Sequence, residues 1–215
     1  MNDAEGRLAR FFDRCVDEGM MLEFDEQEAV RLDRLWRRWD VRPGQQVCEP
    51  GCGTGRLTER LAAAVGPCGS VLAIDLSRAM VSRALDRGLP AHVEIRLASV
   101  CDIPACGFRF DHAICLNAFP HFEDRPRAVA EMARVLRPGG SLWIAHLACR
   151  REVNAFHAEA GNEVRDHVIP TEEVMRAAMG AAGLVVAGFS DGDDSYLLHA
   201  VRPGTARTPA GLPPQ

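Results

Sequence analysis

The fold is decided by Val47-Cys48-Glu49-Pro50-Gly51-Cys52-Gly53-Thr54-Gly55, VCEPGCGTG at 47–55. A short strand, Val47 to Glu49, enters it, and a helix, Arg56 to Val65, leaves it. Glycines at 51, 53 and 55 allow tight turning and close approach of a ligand to the backbone. The helix beyond presents unsatisfied N–H groups at its first turn. About twenty residues on, the apolar run Val71 to Asp75 ends in an acid, where a carboxylate can accept hydrogen bonds from ribose hydroxyls. The spacing is GxGxG rather than the GxGxxG of pyrophosphate-binding enzymes, so the expected ligand carries a ribose and need not carry phosphates. Glu49, just before the loop, is placed to meet a cationic group.

Outward from this loop the strand–helix alternation continues. Val93–Ala98, His112–Asn117 and Ser141–Leu147 read as strands, and Arg78–Arg87, with Gly88 as its cap, as a helix. A second helix, Asp124–Leu136, is expected to stop at the turn Arg137-Pro138-Gly139-Gly140. Two helices follow near Arg150–Ala160 and Thr171–Ala182, and two final strands near Val185–Phe189 and Tyr196–Val201. Gly192-Asp193-Asp194 between those strands is a hairpin signal. The expected fold class is α/β: a Rossmann-like, seven-stranded, mostly parallel sheet with an antiparallel last strand and helices on both faces. Residues 1–40 are expected to form an N-terminal helical cap, 41–201 the main domain and 202–215 a disordered tail.

Composition excludes some chemistries. The chain has 215 residues and a net charge of −5, and all 25 basic residues are arginine. Without lysine there is no Schiff-base nucleophile and no P-loop or kinase lysine. Mild acidity argues against a nucleic-acid partner. No apolar run is long enough for a membrane span, and the N-terminus has no signal-peptide plan. Eight cysteines without a CxxC pair suggest reduced thiols in the cytoplasm. A monomer or homodimer is expected.

Three segments carry a family resemblance: VCEPGCGTGRL at 47–57, VLAIDLSRAMVSRA at 71–84 and FDHAICLNAFPHFEDRPRAVAEMARVLRPGGSLWIA at 110–145. With these the chain resembles the class I S-adenosylmethionine-dependent methyltransferases, particularly their small-molecule branch (methyltransferase type 11, ubiquinone/menaquinone methyltransferase-like). The resemblance implies S-adenosyl-L-methionine as cofactor, S-adenosyl-L-homocysteine as product and methyl transfer to a small-molecule acceptor. Another reaction on the same fold, of cyclase or decarboxylase type, or a non-catalytic cofactor-binding role, are the alternatives. By the resemblance, the loop with Gly51, Gly53 and Gly55 cradles the methionine part, Glu49 holds its amino end, Asp75 binds the ribose and Leu76 flanks the adenine. The family usually has Gly-Asp-Ala after the third strand, with that Asp on the adenine amine. This chain reads Ala98-Ser99-Val100 and then Cys101-Asp102, so Ser99 replaces the acid. Backbone contacts near Ser99 and Val100, or Asp102, are the candidate substitutes. Asn117, ending the fourth strand, is expected near the sulfonium and the acceptor. Asn117-Ala118-Phe119-Pro120 does not match the Asn-Pro-Pro-Tyr/Phe of amino-directed relatives, which disfavours adenine or glutamine amide acceptors.

Catalytic candidates on the acceptor side are His146, His157 and Asn117. His146 ends the fifth strand, at the carboxyl edge where ligands bind in α/β sheets. Asn154 and His157 lie three apart and share a helix face. Together with His167 these residues admit three readings: a base, a metal site or ordinary polar packing. The spacings match no standard zinc signature, so no metal is assigned. His121 reads as a structural loop histidine that satisfies buried loop groups, with catalysis as the alternative. Phe11, Phe12, Met20, Met21, Phe24, Trp36 and Trp39 form either a lid over the acceptor or a helix face packed on the sheet. An anionic acceptor group would have to meet arginine, with Arg150 and Arg151 the nearest in sequence.

Overall fold

The structure is a computed structural model describing residues 3–107, 109–160, 162–192 and 194–204. Its centre is a seven-stranded sheet in the order β3-β2-β1-β4-β5-β7-β6. The glycine-rich loop joins β1 (Gln46–Pro50) to α3 (Arg56–Val65). The chain then steps outward through β2 (Ser70–Asp75), α4 (Arg78–Asp86) and β3 (Val93–Leu97). It returns to lay β4 (Phe110–Leu116) on the other side of β1, parallel to it. That reversal opens a crevice at the carboxyl ends of β1 and β4, the position where such sheets bind ligands.

Helices α5 (Arg125–Val135), α6 (Arg150–Glu159) and α7 (Glu172–Ala181) complete the second half with β5 (Leu136–His146), β6 (Val185–Asp191) and β7 (Tyr196–Val201). β7 inserts between β5 and β6, antiparallel to both. Strand alternation sends side chains to opposite faces. Val47, Val71, Ala73, Ile114 and Ala145 meet α3 through Leu57, Leu61 and Val65. Cys48, Ile74, Cys115 and Ile144 meet α5 and α7 through Val129, Met132, Met175 and Met179. Helices therefore cover both faces, as expected. Among the described residues no helix is long and apolar enough to cross a membrane.

Two helices precede β1. In α1 (Asp3–Asp17) the apolar face buries Leu8, Ala9, Cys15 and Val16. α2 (Glu26–Trp39) starts with a capping box between Asp25 and Glu28 and buries Leu32, Leu35 and Trp39. The N-terminal apolar side chains thus divide: Trp36 and Trp39 pack on the sheet cluster, Phe24 packs on it and also lines the first cavity, and Phe11, Phe12, Met20 and Met21 line cavities.

The turn expected at Arg137–Gly140 lies inside β5, which begins at Leu136 rather than Ser141. Phe110 pairs with Leu136 and His112 with Ser141, so residues 137–140 bulge opposite Asp111. Gly139 takes φ +81° there. Its N–H donates to the Arg202 carbonyl, and the Arg202 N–H returns a bond to Gly140. The Arg202 guanidinium also donates to the carbonyls of Ala133, Arg134 and Leu136, covering the end of α5. The tail expected from 202 falls outside the described residues from 205 on, as does Asp193 of the hairpin signal.

Candidate cofactor and acceptor site

Two cavities meet at the crevice. The first is lined by the glycine loop, Glu49, Asp75, Leu76, Ser99 and Val100, and by Glu5, Leu8 and Phe12 of α1. The second, about 680 Å³, is lined largely by apolar side chains that include Phe11, Met20, Leu147, Val153, Phe156 and Val164. His146 and His157 line it too. Phe12, Met21, Arg56, Asn117 and His121 line both.

The first cavity is built from strand ends. Asp75 closes β2 and accepts backbone N–H bonds from Gly53 at 2.9 Å and Ser77 at 2.9 Å. Burial nevertheless pushes its carboxyl above the ordinary value. Glu49 is 2% exposed. It accepts the Thr58 hydroxyl at 2.6 Å, and burial raises its pKa to about 8. Gly51, Gly53 and Gly55 all have positive φ, which glycine adopts without steric cost. The connection between α1 and α2 is tied to this loop. Thr54 Oγ1 donates to the Met21 carbonyl at 2.6 Å, Arg87 Nη2 to Leu22 at 2.7 Å and Arg56 Nη1 to Glu23 at 3.0 Å.

Asn117 stands at the junction with φ +55°. Its Oδ1 accepts the Leu147 N–H at 2.9 Å, joining the ends of β4 and β5. His146 is buried, and its Nε2 has no hydrogen-bond partner. Burial, with His157 nearby, lowers its pKa to about 3. His157 sits at 2.5 Å from the His167 carbonyl through Nδ1. A carbonyl can only accept, so Nδ1 carries the proton and Nε2 of the neutral ring is the basic nitrogen. The expected helix face is real: Asn154, three residues before, exchanges bonds with the Ile169 backbone at 2.8 and 3.2 Å. Both residues clamp the chain between α6 and α7.

His121 lines both cavities. Its Nδ1 is 3.0 Å from His167 Nδ1, and its ring packs edge-on against Phe12 and His157. Burial, then the neighbouring imidazoles, hold it well below the ordinary histidine value. Among the described residues no group of three or more His, Cys, Asp or Glu side chains could hold a metal ion.

Two expectations need correction. Arg150 pairs with Asp191 and lines neither cavity, and Arg151 lines neither. Instead Arg14, Arg31 and Arg56 border the second cavity. Asp102 is exposed and does not line the first cavity. The carboxylate beside Ser99 belongs to Glu5, which accepts the Ser99 hydroxyl at 2.5 Å. No local pattern could have found this pair, since 94 positions separate its members.

The fold and the crevice define an α/β protein with an acid-lined cavity at the point where the strand order reverses and a second, more apolar compartment beside it. Residues 48–144 match the family model described as a methyltransferase domain. Methyltransferase GfsG of Streptomyces halstedii is 36% identical over 122 residues, covering 55% of this chain and 43% of that protein. The ubiquinone/menaquinone biosynthesis C-methyltransferase UbiE of Hahella chejuensis is 29% identical over 153 residues, covering 67% and 61%. The chain thus spans less than two thirds of the length of either relative. In fold it is similar to magnesium protoporphyrin IX methyltransferase of Synechocystis, solved with bound S-adenosylhomocysteine. The TM-score is 0.69 at 21% identity, covering 93% of this chain and all of the other. Residues 48–144, somewhat under half of the chain, are similar to that methyltransferase domain, and the fold around them is the one that S-adenosylmethionine-dependent methyltransferases share.

The family's cofactor fits the first cavity. Its wall carries Glu5, Glu49, Asp75 and Glu123 against a single guanidinium, Arg56, which suits a ligand with a sulfonium and an ammonium. Buried Glu49 and Asp75 are two carboxylates that a cationic amine and a ribose would satisfy.

Proposed function

We propose that the chain transfers a methyl group to a small molecule with an apolar body and a proton-bearing acceptor atom such as a hydroxyl. The observation that carries this is the meeting of the two cavities at Asn117 and His121. A donor compartment and an acceptor compartment that share a wall can hold two reactants in line, which is most of what methyl transfer requires.

The cofactor supplies a methyl group on a positively charged sulfur. Around it, the Gly51–Gly55 loop and Glu49 hold the amino-acid end, and Asp75 binds the ribose. Leu76 and Val100 flank the adenine. Asn117 fixes the junction by tying β4 to β5. A base is best matched to the working pH, and a ring with a pKa of about 3 is a weak one. We therefore assign the base role to His157, whose proton sits on Nδ1 and whose Nε2 is basic. His146, with its unpartnered Nε2, hydrogen-bonds and orients the acceptor. The N-terminal segment from Glu5 to Arg31 acts as the cover of both compartments. All eight cysteines are free, which supports a reducing, cytoplasmic setting.

The test is incubation with methyl-labelled cofactor and a panel of hydroxylated hydrophobic small molecules. Label appearing in an acceptor supports the reading, and cofactor binding without transfer to any of them counts against it. In parallel, Asp75→Ala should weaken S-adenosylhomocysteine binding about ten- to a hundredfold by calorimetry. Unchanged affinity would remove the ribose assignment.

A further inference from the structure

The base end of the cofactor cavity is closed by a helix that precedes the sheet. Glu5, Leu8 and Phe12 occupy positions i, i+3 and i+7 of α1 and all three line the cavity, so they form one face. At about 1.5 Å per residue, Glu5 and Phe12 are roughly 10 Å apart along the helix, a distance comparable to a nucleoside. Phe12 lies at the methyl-transfer end, because it lines the acceptor cavity as well. Glu5 therefore lies at the opposite end, past the ribose carboxylate Asp75, beside Ser99 and Val100.

Its position is fixed from two sides. Ser99 Oγ donates to Glu5 Oε1 at 2.5 Å and accepts the Cys101 N–H at 3.1 Å, so the hydroxyl's proton is committed to the carboxylate. Farther along α1, Asp13 Oδ1 accepts from Ser77 Oγ at 2.6 Å and from the Ala79 N–H at 3.0 Å, pinning the helix to the start of α4. A carboxylate has lone pairs for more than one donor. Opposite an adenine edge the donor it meets is the exocyclic amine. Opposite a 6-oxo purine the same position holds an oxygen, which it repels, and the donor moves to the ring nitrogen N1.

We propose that Glu5 of α1 reads the exocyclic amine of the cofactor's adenine, in place of an acid after β3, so that the N-terminal helix is part of the cofactor site. This rests on the cofactor assignment above. It makes α1 a selector for the amino purine as well as a cover.

Calorimetry on the full chain tests it with two ligands, S-adenosylhomocysteine and its 6-oxo counterpart S-inosylhomocysteine. The wild type should prefer the amine by tenfold or more. Glu5→Ala should lose about ten- to a hundredfold in affinity for the adenosyl ligand and lose the preference. Glu5→Gln keeps the shape and the bond to Ser99, and its amide should shift the preference toward the oxo ligand. Adding Ser99→Asp to Glu5→Ala should restore selectivity for the amine. Variants that keep the wild-type preference would overturn the proposal alone. A wild type that binds neither ligand would overturn the cofactor assignment and the proposal with it.

Discussion

Gly51 and Ala118 face each other across the crevice so closely that a β-carbon on residue 51 would overlap the Ala118 β-carbon. The loop after β1 and the loop after β4 therefore touch at the point where the strand order reverses. Gly51 also has φ +76°. Gly51→Ala should cost about 2–4 kcal/mol, from the left-handed backbone and the overlap together. Gly53 also has positive φ, +54°, but a β-carbon there meets just Met80 Sδ at 3.8 Å. Gly53→Ala should pay the backbone part alone, about 1–2 kcal/mol. Equal losses in denaturant unfolding would refute the contact between the two loops.

Glu49 leads to a prediction about protons. Burial holds its pKa at about 8 in the absence of ligand, so at pH 7 it is mostly protonated. A cationic amine placed beside it favours the carboxylate and expels that proton. Cofactor binding at pH 7 should release close to one proton, seen as a heat that varies with the ionisation enthalpy of the buffer. Affinity should rise with pH up to about 8. Glu49→Gln should abolish the buffer dependence, and a wild-type heat independent of buffer would remove Glu49 from the amino-binding role.

The histidines set the acid limit of stability. His112, His121, His146, His157, His167 and His199 are all held below the ordinary value, first by burial. Unfolded imidazoles protonate near pH 6.5, so below that pH the unfolded chain binds more protons than the folded one. Stability should fall on acidification from about pH 6.5, by about 1.4 kcal/mol per pH unit for each ring that stays neutral. Glu49, whose folded pKa is about 8 against an ordinary 4.5, pulls the other way between those two values, and Asp75, also raised, pulls with it above its ordinary value; the six rings together outweigh this pair. A flat melting temperature from pH 7 to 5 would contradict the burial of this group.

The sheet was legible because β2 and the buried ends of β4 and β5 are short apolar runs and β3 alternates apolar and charged residues, each ending at an identifiable loop. Glycine spacing and the acid at Asp75 marked residues that line the first cavity for the same local reason. What escaped depended on distance along the chain. Ser99 and Glu5 meet across 94 positions, and His121 and His167 across 46. Neither pair has a periodicity that a sequence window can detect. β5 began five residues early because the Arg137–Gly140 segment is a bulge anchored by Arg202, and Pro-Gly-Gly looks the same in a turn as in a bulge.

His157 and His146 should separate kinetically. If His157 takes the acceptor's proton, His157→Gln should lower kcat by about 10²–10⁴-fold while S-adenosylhomocysteine affinity is unchanged. The wild-type rate profile should rise through a single ionisation below pH 6.5, because burial lowers the His157 ring's pKa and the neutral form is the active one. The wild type is then fully active at pH 7. His146→Phe fills the same buried space without a nitrogen, so it should raise KM for the acceptor and leave that ionisation in place. If His146→Phe removed the acid limb and His157→Gln kept it, the two roles would have to be exchanged. A limb that survived both substitutions would place the proton transfer on His121, the remaining imidazole lining both cavities.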